Sequence, residues 1–217
     1  MVNAVPEGAA AAATPGAGTA LALTVRGRAK ADRRDALLSA AARMFAARGF
    51  NGVSIEELGA AVGISGPAVY RHFSSKQAVL AALLVEVSES LLSGGEAVIA
   101  GAADARDALT GLVRFHVDFA LGDPDVIRVQ DRDLDSLDDA DRRQVRALQR
   151  RYVELWVRVL AELRPGADAA TLRIRAHATF GLINSTPHSA RVSGGAPRSV
   201  VRSLLEEMAL ATLSPTA

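Results

Sequence analysis

The stretch Ser54-Ile-Glu-Glu-Leu-Gly-Ala-Ala-Val-Gly63-Ile-Ser65-Gly-Pro67-Ala-Val-Tyr70-Arg-His-Phe73 decides the fold of this 217-residue chain. Ser54 precedes Ile55-Glu56-Glu57-Leu58, with Glu57 three residues on, so serine and glutamate can satisfy each other's free backbone donors in a capping box. The helix so opened runs to about Val62 and ends at Gly63. A second starts at Ser65, with Pro67 in its first turn, where a missing N–H costs little, and ends near Phe73. Ala60 and Ala61 are small where two helices must cross, Gly63 permits a tight turn, and Ile64 and Val69 supply apolar anchors. This arrangement matches a helix-turn-helix, whose second helix enters the DNA major groove. An ordinary helical hairpin shares much of the spacing.

Working outward, Leu37, Leu38, Ala41, Met44 and Phe45 recur at helical spacing from about Asp32, and Gly49 stops that helix. Downstream, Ser74 or Ser75 caps a helix running through Leu80, Leu83, Leu84 and Val87 towards Gly94-Gly95. Further helices are predicted over Asp104–Leu121, Pro124–Arg132 and Asp138–Leu163, the last with Val145, Leu148, Tyr152, Leu155 and Val159 on one stripe. Ala169–Thr186 follows, halted at Pro187. After Ser193–Pro197 a final helix carries Val201, Leu204, Leu205 and Met208. There is no alternating run of strand length and no internal repeat, so the chain reads as all-α.

Composition agrees: 49% of residues are hydrophobic, 43 are alanine and none is cysteine. Disulfide frameworks, thiolate metal sites and cysteine nucleophiles are thereby excluded. The net charge of +1 conceals an asymmetry. Residues 26–76 hold nine cations and four acids, whereas residues 77–217 hold sixteen cations and nineteen acids. A compact basic segment beside an acidic body suggests contact with a polyanion. Residues 1–28 read as a disordered leader with a basic arm, Arg26 and Arg28, which Lys30 continues. Gly8–Val25 is uncharged, but its Gly, Thr and Pro make it a poor membrane span, and no early positive charge marks a signal peptide. A cytoplasmic protein with no membrane partner is expected.

The run Phe45-Ala-Ala-Arg48-Gly49-Phe50-Asn-Gly52-Val53-Ser54-Ile55 resembles the DNA-binding domain of TetR-type (tetracycline-repressor-like) regulators. So do Leu58-Gly-Ala-Ala-Val62-Gly63-Ile64-Ser65, Val69-Tyr70-Arg71-His72-Phe73 and Lys76. The resemblance spans about Asp32 to Leu84; the remainder agrees in length and helix count. It implies a three-helix DNA-binding domain over 29–76 joined to a larger effector-binding and dimerisation domain over 77–217. It further implies that Ser54, Tyr70, His72 and Lys76 hold phosphates, as hydroxyls, imidazole, ammonium and helix N-termini can. Ser65, Gly66, Ala68 and Arg71 would face the groove, with Arg71 the one long base-reading donor. Arg26, Arg28 and Lys30 would extend along the backbone or into the minor groove. Gly66-Pro67 departs from the pattern by removing side chains that could read bases.

The same resemblance implies a homodimer on a palindromic operator and a small-molecule effector that releases it. The last two long helices, around Leu172–Thr186 and Val200–Leu213, carry apolar stripes suited to a four-helix interface or to internal packing. The Asp104–Leu121 helix is apolar nearly all round, so His116 and Phe119 are candidate pocket residues. Tyr152 and Trp156 share a helical face, as do Phe180 and Asn184; core packing is the competing reading for each pair. A faint likeness to regulators of acyl-CoA or other lipid-derived effectors points to an apolar ligand. The run Asp131–Asp141 lacks the loop glycine and terminal glutamate of an EF-hand and reads as acidic N-capping of the long helix. No catalytic motif, metal-ligand spacing or cofactor loop is present, so no catalytic residue, metal or cofactor is expected. The alternative is a helical adaptor or enzyme-like bundle whose basic segment binds a protein.

Overall fold

The computed structural model describes residues 17–186 and 196–213, with backbone alone for residues 17–26. Among these, nine α-helices follow in order and no strand occurs: α1 (Ala17–Arg48), α2 (Ile55–Ala61), α3 (Gly66–Val69), α4 (Lys76–Gly101), α5 (Ala105–Gly122), α6 (Pro124–Asp133), α7 (Asp139–Leu163), α8 (Ala169–Asn184) and α9 (Arg198–Leu213). A 3-10 turn, Leu134–Ser136, links α6 to α7. Residues 1–16 of the expected leader, the stop at Pro187 and most of the Ser193–Pro197 link lie outside the described residues.

Local chemistry sets the helix starts. Ser75 Oγ accepts from Ala78 N, Asp104 Oδ1 from Arg106 N and Asp107 N, and Asp168 Oδ1 from Thr171 N. Asp138 Oδ1 accepts from Asp141 N at 2.9 Å, which gives the acidic run its capping role at α7. Asp139 and Asp135 instead pair with Arg142 and Arg146.

Three boundaries differ from expectation. First, α1 begins at Ala17 rather than near Asp32, so Arg26, Arg28 and Lys30 stand on a helix and not on an extended arm. Alanine-rich sequence sustains that helix without an apolar period. Second, α4 does not end at Gly94-Gly95 but runs to Gly101. A Cβ on Gly94 would lie 2.2 Å from Phe115 Cζ, and one on Gly95 would lie 2.8 Å from Tyr152 Cε2. The two glycines admit rings from α5 and α7 instead of breaking the helix. Third, the α-helical part of α3 ends at Val69, and the chain continues in turns closed by His72 N→Val69 O and Phe73 N→Val69 O.

Two apolar clusters organise the molecule. One joins Leu37, Phe45, Phe50, Leu58, Val69, Phe73 and Leu80 of the N-terminal helices to Val126, Val129, Leu137 and Val145. The other gathers α5, α7, α8 and α9 around Trp156, which is fully buried. By length and composition α4 could cross a membrane. Here its apolar residues serve both clusters, with Leu80 and Leu84 in the first and Leu92 in the second.

Candidate DNA interface and effector cavity

At the N-terminal end, the capping box forms as the sequence requires. Ser54 Oγ accepts from Glu57 N at 3.2 Å, and Ser54 N donates to Glu57 Oε2 at 2.8 Å. Arg48 holds Glu57 at 2.6 Å, and this bond, with that from Ser54, keeps the Glu57 carboxyl below the usual range. The turn passes Gly63 with φ of +70°, which glycine alone adopts cheaply. The close crossing is made by Gly59, whose added Cβ would meet Ile64 O at 2.8 Å; Ala60 and Ala61 are exposed. Neighbour spacing in the sequence could not select among the three small residues.

The expected DNA-facing residues divide. Ser65 is exposed and makes no capping bond, so its hydroxyl stays available. Tyr70 is 54% exposed and Arg71 is exposed, whereas Ala68 is half-buried. Gly66 does not face outward: it is buried against α2, with Glu56 Cγ 3.3 Å from where its Cβ would be. Arg28 and Lys30 are exposed on α1, and the Arg26 side chain lies outside the described residues. Lys30, Arg33, Arg71 and His72 line one shallow surface depression, and Ser54, Tyr70 and Lys76 line another. Arg33 was not anticipated. It also donates to Val62 O at 3.0 Å, tying α1 to the end of α2.

Two of these side chains differ in chemistry from expectation. Lys76 Nζ donates to Phe50 O at 2.9 Å and Val53 O at 2.8 Å and stands 4.4 Å from the centre of the Phe50 ring. The ammonium thus spends two of its three N–H groups holding the loop before α2. Burial, then Lys30, Arg33, Arg34 and Arg71, push the His72 imidazole below its usual range. Its buried Nδ1 has no hydrogen-bond partner among the described residues.

The second site is a cavity of about 220 Å³ between α4, α5, α6, α7 and α8. His116, Phe119, Tyr152, Phe180 and Asn184 line it, five of the six residues expected there. Trp156 stands behind them, edge-on to Phe180 at 4.9 Å and to His116 at 6.0 Å. Asn184 Oδ1 lies 3.1 Å from His116 Nε2, which fixes the proton on that nitrogen; Nδ1 then accepts from the Tyr152 hydroxyl at 3.3 Å. Burial lowers the His116 pKa to about 4 and raises that of Tyr152, so imidazole and phenol are both neutral near pH 7. Ser88, Gln130, Gln149 and His177 also line the cavity and were not anticipated. Helical spacing could have found two of them: Gln149 precedes Tyr152 by three residues, and His177 precedes Phe180 by three.

Comparison with known proteins follows the same division. Residues 37–83 match the model for bacterial regulatory proteins of the tetR family, and residues 102–213 match a tetracyclin repressor-like C-terminal domain. The HTH-type transcriptional activator FasR of Mycolicibacterium smegmatis is 34% identical over 88 residues, 41% of this chain and 40% of FasR. The HTH-type transcriptional repressor KstR2 of Rhodococcus jostii is 32% identical over 84 residues, 39% of this chain and 41% of KstR2. The chain thus spans about two-fifths of the length of these relatives. A TetR-family transcriptional regulator from Bordetella parapertussis superposes with a TM-score of 0.72 at 26% identity, covering 82% of this chain and 93% of the other.

Proposed function

Because this chain belongs to the tetR family of bacterial regulatory proteins, we propose that it is a ligand-responsive repressor that binds a palindromic operator as a homodimer in the cytoplasm. The observation that carries this reading is the grouping of exposed Tyr70 with Ser54 in one depression and of exposed Arg71 with Lys30 and Arg33 in the other. Hydroxyls and cations around a single long base-reading donor fit phosphate positioning plus limited direct readout. Residues 29–76 act as the reading head and 77–217 as the effector and dimer body, with α4 common to both. FasR is an activator and KstR2 a repressor, so repression is the part of the proposal that likeness supports least.

Dimerisation is supported by an apolar face that no other described residue covers. Ile174 is 69% exposed on α8, and Val200, Leu204 and Met208 are 54%, 53% and 43% exposed on α9. Ile174, Ala178 and Gly181 share one stripe, and Val200, Leu204 and Met208 another. One recognition helix reads few bases, so twofold pairing is the route to affinity.

The effector enters the 220 Å³ cavity. Its apolar walls suit the small apolar ligand expected from the sequence. A cavity of this size has room for no more than the acyl end of an acyl-CoA. Gel shifts with the DNA upstream of the protein's own gene, with excess random competitor, test the reading. Specific, salt-sensitive retardation is expected, and an absence of retardation at every salt concentration would return the adaptor alternative.

A further inference from the structure

Among the described residues, the cavity's lining contains histidine, asparagine, glutamine, serine, tyrosine and apolar side chains, but no aspartate, glutamate, lysine or arginine. At about 220 Å³ it is also smaller than the roughly 300–1,000 Å³ of sites for drug-sized ligands. One wall is aromatic: Tyr152 and Phe180 stack at 5.7 Å and 14°, and His116 lies 4.8 Å from Phe180. The polar groups on this wall are largely committed to one another through the chain Tyr152–His116–Asn184. Gln149 Nε2 and, behind the wall, Trp156 Nε1 are buried without a hydrogen-bond partner among the described residues; of these two side chains Gln149 lines the cavity.

Resting on the reading of this cavity as the effector site, we propose that its ligand is a neutral molecule of one or two rings bearing a carbonyl-type acceptor, towards which the Gln149 amide turns its unpaired Nε2. An orphaned buried donor is costly to leave unpaired, so a ligand acceptor there contributes more than an ordinary hydrogen bond. An anion would be stripped of water beside a neutral imidazole with no cation among the described lining residues, and an ammonium would find no carboxylate there. A pure hydrocarbon would fill the aromatic wall and leave Gln149 unpaired. The unpaired donor and the uncharged lining therefore select the same ligand class independently.

Calorimetric titration of the full chain without DNA tests this, using acetophenone and 1-tetralone as neutral ketones. Benzoate, ethylbenzene and isovaleryl-CoA serve as the charged, acceptor-free and acyl-CoA probes. The ketones are expected to bind at least tenfold more tightly than any of the three. Gln149→Leu should abolish the preference for acetophenone over ethylbenzene. Tighter binding of benzoate or isovaleryl-CoA, or no ketone binding at millimolar concentration, overturns the inference. The wild-type ranking stands even if the variant misfolds. A chain that binds operator but none of the ketones loses this inference alone; one that binds ketones but no operator loses the regulator reading instead.

Discussion

The guanidinium of Arg132, at the end of α6, donates to the carbonyl oxygen of Phe45 in the last turn of α1, and reaches Ala46 O at 3.4 Å as well. Phe45 O also accepts from Gly49 N at 2.7 Å, so a side chain from the body adds a second donor at the C-terminal end of a helix in the reading head. Asp133 fixes the same guanidinium through two bonds of 3.2 Å. Gln130, two residues earlier on α6, lines the cavity. Arg132→Ala should cost about 1–2 kcal/mol of stability through the lost charged hydrogen bonds. It should also reduce effector-driven release of operator while leaving effector affinity unchanged. Release equal to wild type in gel shifts at saturating effector would dissociate this contact from coupling.

Arg71 and Lys76 should fail in different ways. Arg71→Ala removes the exposed long donor, so operator affinity should fall by about 1–3 kcal/mol while random-DNA affinity falls less. Lys76→Met frees Phe50 O and Val53 O and loosens the loop that presents Ser54. Affinity should then drop for operator and random DNA alike, with the salt dependence of binding unchanged. A phosphate-contacting lysine would instead reduce the salt slope by about 1. Binding measured across salt concentrations separates the two roles.

Where the sequence could be read, the determining interactions were local. Ser54 and Glu57 sit three residues apart, so their capping box is visible in one dimension, as are the caps at Asp104 and Asp138. Tyr152, Phe180 and Asn184 of the cavity declared themselves by four-residue spacing, whereas Gln130 and Gln149 did not. Lys76 did not, because the carbonyls it braces lie more than twenty residues away. Gly66 looked outward because nothing local places Glu56 against it. Arg132 stood in an acidic run whose chemistry masked a contact made across the fold to α1.

Gly94 illustrates the same limit with a sign that can be checked. Helix propensity alone makes Gly→Ala in the middle of α4 stabilising by about 1 kcal/mol. The Phe115 ring, however, comes within 2.2 Å of the new methyl position. Overpacking of a core contact costs about 1–3 kcal/mol, so Gly94→Ala should be destabilising. The midpoint of urea unfolding reports the difference, and a raised midpoint would mean the ring can yield.

Leu204 and Met208 are exposed on successive turns of α9. If that face pairs with its copy, Leu204→Glu places two like charges in a desolvated interface and should give a monomer in size-exclusion chromatography. Operator affinity should fall at least tenfold with it, since a single reading head loses the second half-site. A dimer that survives the substitution would move the interface elsewhere.

His116 should impose a pH dependence on stability. Burial holds its folded-state pKa at about 4, whereas the unfolded chain presents an ordinary imidazole near 6.5. Between these values the unfolded state binds a proton that the folded state does not. Stability is therefore complete above pH of about 6.5 and declines as pH falls towards 4, by about 3 kcal/mol in all. The loss reflects the cost of charging a ring whose neighbours, Tyr152, Asn184, Phe180 and Trp156, offer no carboxylate. His116→Phe keeps the aromatic volume and removes the titration, so its urea midpoint should change less between pH 7 and pH 4.5 than that of wild type. Carboxylates elsewhere titrate in both proteins and cancel in the difference. Parallel pH profiles would show that the imidazole reaches water in the folded protein, and that the cavity is wetter than its lining implies.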